Sequence, residues 1–332
     1  MSYELRSLLV SKFMETGFFH ESEAHEIVEK IFRKERCLQI FQDEYQDIQY
    51  NSNFFNFKEK IHQTVQALKW HLHSLTPKEY ADKVVKQNAW ACANSPNTIM
   101  TKTRASAAAL QNILNRVTYR EFLEKALNFN NAMFTASTNN ISEYLEESSK
   151  WAATHLPDIT KEKYTGTAYY RNPEMITTSQ KYIQSNVTGI VDGLGQYNPK
   201  ASTIVNCLKI GTGPNPYVMT KNPAIIMEAA AAFTEAFRPH LSAYDFAEMG
   251  FLHNSKIFTW KTQSMIRNIK TVVQKYPFDL DYAKYLTGAR RHNTFLFTIE
   301  AEDTIEKIEN FRKEDKKSSI FTLAMLNPKS SR

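Results

Sequence analysis

Between Lys256 and Arg291 the sequence gathers eight bases, Lys256, Lys261, Arg267, Lys270, Lys275, Lys284, Arg290 and Arg291, against Asp279 and Asp281. That imbalance equals the formal net charge of the whole chain, +6 at pH 7. Phe258, Trp260, Tyr276, Phe278, Tyr282 and Tyr285 stand among these bases. Cations follow phosphates while rings stack on bases without reading them, so the pattern predicts a groove for single-stranded nucleic acid. Helical periodicity over 262–275 puts Met265, Ile266, Ile269, Val272 and Val273 in a buried stripe, with Arg267, Lys270 and Gln274 opposite. The competing reading is a solvated basic helix whose aromatics belong to the core.

A smaller basic cluster, Lys102, Arg104, Arg116, Arg120 and Lys125 against Glu121 and Glu124, precedes it by more than a hundred residues. Two basic elements, one per lobe, would line a cleft. The expected nucleic-acid-binding residues are Lys102, Arg104, Arg116, Arg120, Lys256, Trp260, Lys261, Arg267, Lys270, Lys275, Tyr282, Arg290 and Arg291.

Other chemistry finds little footing. Gly211-Thr212-Gly213-Pro214 lacks the Gly-Lys-Ser/Thr ending of a phosphate loop, and Pro214 removes an amide, so it reads as a turn. Gly189, Gly193 and Gly195 miss the dinucleotide spacing. His71 and His73, two apart, point to different sides of a helix, and no HExxH accompanies them. Asp279 and Asp281 read as helix-capping acids. Without a nucleophile elbow such as GxSxG, no catalytic residue, metal ligand or cofactor is expected. Cys37, Cys92 and Cys207 are odd in number and far apart, which argues against a disulfide framework and for a reducing compartment. No leader resembling a signal peptide and no apolar run of about 18 residues is present, so the expected location is cytoplasmic.

The elements that must position these residues are helices. At 332 residues with 42% hydrophobic content the chain has material for a large core or two lobes. The expected fold is mainly α, with two helical lobes, an irregular Gly/Pro/Thr-rich middle and little β. Its parts are an N-terminal helical lobe over 1–155, an irregular connector over 156–216, a C-terminal helical lobe over 217–313 and an arm over 314–332. Residues 4–16 form an amphipathic first helix, and a second runs from Glu21 to about Gln49 before a loop at 51–57. The almost wholly apolar 224–233 predicts a central buried helix. Thr294–Ile299 reads as the one strand. The sequence shows no evident internal repeat.

In layout, though in no specific motif, the chain resembles viral nucleocapsid or coat proteins. The two-lobe helical layout, the basic aromatic window and termini able to dock on a neighbour together predict a non-enzymatic protein that binds single-stranded RNA without sequence preference and packages it. Self-association would run through N- and C-terminal arms, in host cytoplasm and virion. The alternative is a helical interaction or effector protein that meets an acidic partner or an anionic membrane surface.

Overall fold

The computed structural model describes residues 3–32 and 56–314, and the side chains of 6–32 and 56–310. The extension of the second helix beyond Phe32, the start of the 51–57 loop, Cys37 and the arm beyond Glu314 lie outside the described residues. As expected, the fold is mainly α; among the described residues there is no strand.

The chain divides into two compact units, residues 1–147 with 168–177, and residues 148–167 with 178–332. Both are built from one module, a pair of helices followed by a short helical turn. The first helices of successive modules are α3 Phe57–Leu68, α6 Pro96–Leu114, α8 Thr138–His155, α10 Gln180–Gly195, α12 Pro223–Ala236 and α14 Thr262–Lys275. The matching second helices are α4 Pro77–Tyr80, α7 Tyr119–Asn128, α9 Lys161–Arg171, α11 Ile204–Gly211, α13 Ala243–Glu248 and α15 Tyr282–His292. Ahead of them lie α1 Tyr3–Met14 and α2 Glu21–Phe32; α5 Trp90–Ala93 closes the first module and α16 Ala301–Glu314 opens a seventh.

The module is written in the sequence at fixed spacing, so the expected absence of a repeat is overturned. Each second helix is capped by Thr76, Thr118, Thr160, Thr203, Ser242 or Asp281, whose side-chain oxygen accepts the backbone N–H three residues on. Four residues past the cap stands a fully buried Tyr80, Phe122, Tyr164, Cys207, Phe246 or Tyr285. Eight past it comes a small or β-branched residue, Val84, Ala126, Ala168, Gly211, Gly250 or Ala289. Twelve past it is always asparagine: Asn88, Asn130, Asn172, Asn215, Asn254, Asn293. Seven further on, the next first helix begins after Ser95, Ser137, Ser179, Asn222, Lys261 or Glu300. Only the stretch from one helix to the next within a module varies in length.

The asparagines are buried and stitch neighbouring modules together. In unit 1 the Asn88 amide donates to the Asn131 carbonyl and the Thr135 hydroxyl, both at 2.8 Å. The Asn130 amide likewise donates to the Pro173 carbonyl at 2.7 Å and the Thr177 hydroxyl at 2.9 Å. Unit 2 repeats the arrangement from Asn215 to Ser255 and Thr259, and from Asn254 to Thr294 and Thr298, at 2.7–3.0 Å. The oxygens of Asn130 and Asn254 accept the N–H two residues on, and the threonine hydroxyls donate back into their own turns. A buried polar network of this kind is stable because its donors are spent, and it allows one stacking register.

The ladder explains why the expected strand is not one. Thr294–Phe297 is a 3-10 helix whose apolar residues serve the repeat: the neighbours Leu296 and Phe297 enter the core, while the Thr294 carbonyl and Thr298 hydroxyl receive Asn254. The glycines and prolines of 156–216 are likewise not an irregular connector. That stretch holds α9, α10, α11 and two 3-10 turns, with Pro173 and Pro216 opening the turns. Gly211 and Gly250 leave room for Met219 and Phe258, which press against them from the following turn.

Two further expectations change. The apolar helix α12 buries only Ile226, Ala229, Ala230 and Phe233, leaving Ala224, Ile225 and Ala231 exposed. A repeat helix covers the stripe that faces its neighbours and no more. The first helix is packed within unit 1, where Phe13 stacks on Phe57 at 4.3 Å between centroids and Arg6 pairs with Glu29 at 2.6 Å.

Candidate nucleic-acid interface

In unit 1 the expected basic residues are largely engaged. Lys102 Nζ donates to the Thr135 carbonyl at 3.3 Å, beside the hydroxyl that receives Asn88. Arg104 lies over the Tyr119 ring at 5.8 Å, and the Tyr119 hydroxyl is 2.9 Å from Thr103 Oγ1. Arg120 pairs with Glu124 at 2.9 Å. Lys125 sits among Tyr169, Tyr170 and Phe129, with Nζ 5.1, 5.7 and 6.0 Å from the ring centroids. Arg116 alone of the expected set is exposed there without an ion pair or ring contact among the described residues. A cleft of about 470 Å³ runs past Glu79, Glu121 and Glu124 as well as Arg120 and Lys125. Its acids offset its bases, which disfavours a polyanion.

Unit 2 differs. Lys256, Lys261, Arg267, Lys270, Lys275 and Arg291 are all exposed, and none forms an ion pair among the described residues. Arg290 is the exception. It pairs with Asp245, whose other oxygen takes the Ser242 N–H at 2.9 Å in the capping box of α13, so this arginine holds α15 to α13. Asp281 caps α15 through the Lys284 N–H at 2.7 Å, as expected of it.

These cations do not share one face. Arg267 and Lys270 project from α14, whose ends, marked by Lys261 and Lys275, are roughly 20 Å apart at 1.5 Å per residue. The adjoining first helices are acidic on their exposed sides, with Glu228 on α12 and Glu302, Glu306 and Glu309 on α16. Among the described residues, α12, α14 and α16 therefore do not form a continuous cationic trough. Lys256 and Arg291 lie elsewhere, on the edge made by the 3-10 turns and the ends of the second helices. Arg291 lines a cleft of about 490 Å³ with Tyr244, Glu248, His253 and His292. Lys256 lines a smaller one with Pro214, Leu252, His253 and Phe295.

The aromatic residues depart further from expectation than the basic ones. Phe258, Tyr276 and Tyr285 are core residues. Trp260 is half-buried, and half-buried Tyr282 leans on Phe237 at 5.8 Å. Of the six expected rings only Phe278 reaches solvent fully, at 98% exposure; elsewhere in unit 2 Tyr182, Tyr197, Tyr217, Tyr244 and Phe295 are about half exposed. Tyr217 and Phe295 escaped the sequence reading because their signal is their place in the module: each stands two residues after a ladder asparagine.

Among the described residues no three His, Cys, Asp or Glu side chains come together as metal ligands, and no helix is long and apolar enough to cross a membrane. Burial pushes the thiols of Cys92 and Cys207 up to about 12, so neither supplies a thiolate near neutral pH. Gly211-Thr212-Gly213 is the turn that ends α11, where the Thr212 N–H donates to the Leu208 carbonyl. No protein-family model, no curated protein and no solved structure matches this chain.

Proposed function

We propose that this is a non-enzymatic helical-repeat protein that binds single-stranded RNA with little sequence preference and packages it by self-association in the cytoplasm, or in a virion if it is viral. One observation carries the reading: in unit 2 six basic side chains of 256–291 are exposed and without ion pairs among the described residues, whereas unit 1 spends most of its basic side chains on its own structure. Free surface cations beside exposed rings suit a polyanion with flat bases. Stacked helical modules suit an extended ligand, because each module adds the same length of binding surface. Since α1 is docked on its own unit, self-association is assigned to 314–332.

The test is size-exclusion chromatography with light scattering on purified full-length protein, before and after nuclease treatment. The expected result is a high-mass, RNA-bearing species that falls to a smaller one on nuclease digestion. A nuclease-insensitive mass, with no binding of a labelled RNA oligomer at low salt, overturns the proposal in favour of a protein-interaction role.

A further inference from the structure

We infer that the edge carrying Tyr217, Lys256 and Phe295 is a base-stacking strip, built at the spacing of the repeat; this rests on the single-strand reading above. All three residues occupy one position of the module, two after Asn215, Asn254 and Asn293. At two of the three modules the ladder asparagine also fixes that position, because the Asn254 oxygen accepts the Lys256 N–H and the Asn293 oxygen accepts the Phe295 N–H, each at 3.2 Å. It also fixes the step from one module to the next, through Asn215 to Ser255 and Thr259 and Asn254 to Thr294 and Thr298. Packed helices lie roughly 8–10 Å apart, so the two rings flank Lys256 at similar intervals along the edge.

The chemistry of the edge suits one occupant. Tyr217 and Phe295 present about half of their surface to solvent although a packed core lies directly beneath. Leu252, 52% exposed, continues the apolar surface beside Phe295. In module order Lys256 stands between the two rings and lines one cleft with Phe295, while Arg291 at the end of α15 lines the cleft that also holds Glu248 and His253; neither base forms an ion pair among the described residues. An apolar edge with interspersed free cations, and no acid at this position of these three modules, matches a strand of stacked bases with phosphates on its flank. A ring reads no base, so the strip accounts for tolerance of sequence, and a helical repeat that offers one side chain per module meets about one base per module.

The experiment compares two fluorescein-labelled twelve-mers, a mixed-sequence RNA and an abasic sugar-phosphate strand, binding to full-length protein by anisotropy. The wild type should prefer the base-bearing strand. Tyr217→Ala/Phe295→Ala should bind the RNA at least about fivefold more weakly per ring, with abasic binding unchanged, so the preference disappears. Tyr217→Phe/Phe295→Tyr should restore it, which separates stacking from damage to the fold. A wild type that binds both strands with equal affinity, or an alanine double variant that keeps the preference, overturns the strip while leaving the single-strand reading intact. Failure of the wild type to bind either strand overturns both.

Discussion

Units 1 and 2 are made from the same module and use positive charge in opposite ways. In unit 1 a lysine braces the ladder, another is enclosed by three rings and an arginine is neutralised one turn away. In unit 2 the corresponding wealth of lysine and arginine between 256 and 291 points outward, with only Arg290 and Lys284 in ion pairs among the described residues. Charge density in a sequence therefore does not identify a binding surface. What identifies it is charge that the fold has no use for.

The shared part of the comparison predicts the largest effects. Asn130→Ala and Asn254→Ala each strand a buried carbonyl and hydroxyl, so each should cost about 2–4 kcal/mol in chemical denaturation, with similar values in the two units. A cost confined to one unit would mean that the ladder holds only half of the molecule together. Next comes the small residue beneath the 3-10 turn. Gly250→Ala in unit 2 drives a methyl into the Phe258 ring and should cost about 1–3 kcal/mol, whereas unit 1 already accepts Ala126 at that position.

The differing part predicts smaller changes in stability. Lys125→Ala should lose about 1 kcal/mol with RNA affinity unchanged, since its ammonium is occupied by rings. Lys256→Ala or Arg291→Ala should leave stability within about 0.5 kcal/mol of the wild type, as exposed unpaired residues do, while weakening RNA binding. Reversal of these two outcomes would exchange the roles assigned to the units.

Helicity was legible in the sequence because each helix carries its own period and cap. Pro77 after Thr76 marks a start, and the stripe Met265, Ile266, Ile269, Val272, Val273 matches the buried side of α14. The repeat was legible too, but only as a single polar residue at fixed distance from a cap. The residues around it vary from Tyr80 to Cys207 at one core position, since burial constrains volume and apolarity more than identity. The first module shows how far the pattern can fray, because Ala93 stands where later modules have the threonine that receives an asparagine from the module before. Thr294–Thr298 misled because a 3-10 turn that buries two neighbouring residues and a strand share the same apolar density over a few positions. For the site, exposure of the cations followed from charge, whereas exposure of the rings did not. Phe258 and Phe295 are the same residue type, and only their register in the module decides that one is core and the other faces solvent.

The most direct test of the account is the salt dependence of binding to a single-stranded RNA, read as the slope of log affinity against log salt. Neutralising Lys256, Arg267, Lys270 and Arg291 together should flatten the slope by about 0.7 for each phosphate that no longer meets a cation. The matching change at Arg120 and Lys125, both engaged within unit 1, should leave it as in the wild type. An unaltered slope in the first variant, or a flattened one in the second, would contradict the assignment of the polyanion surface to unit 2.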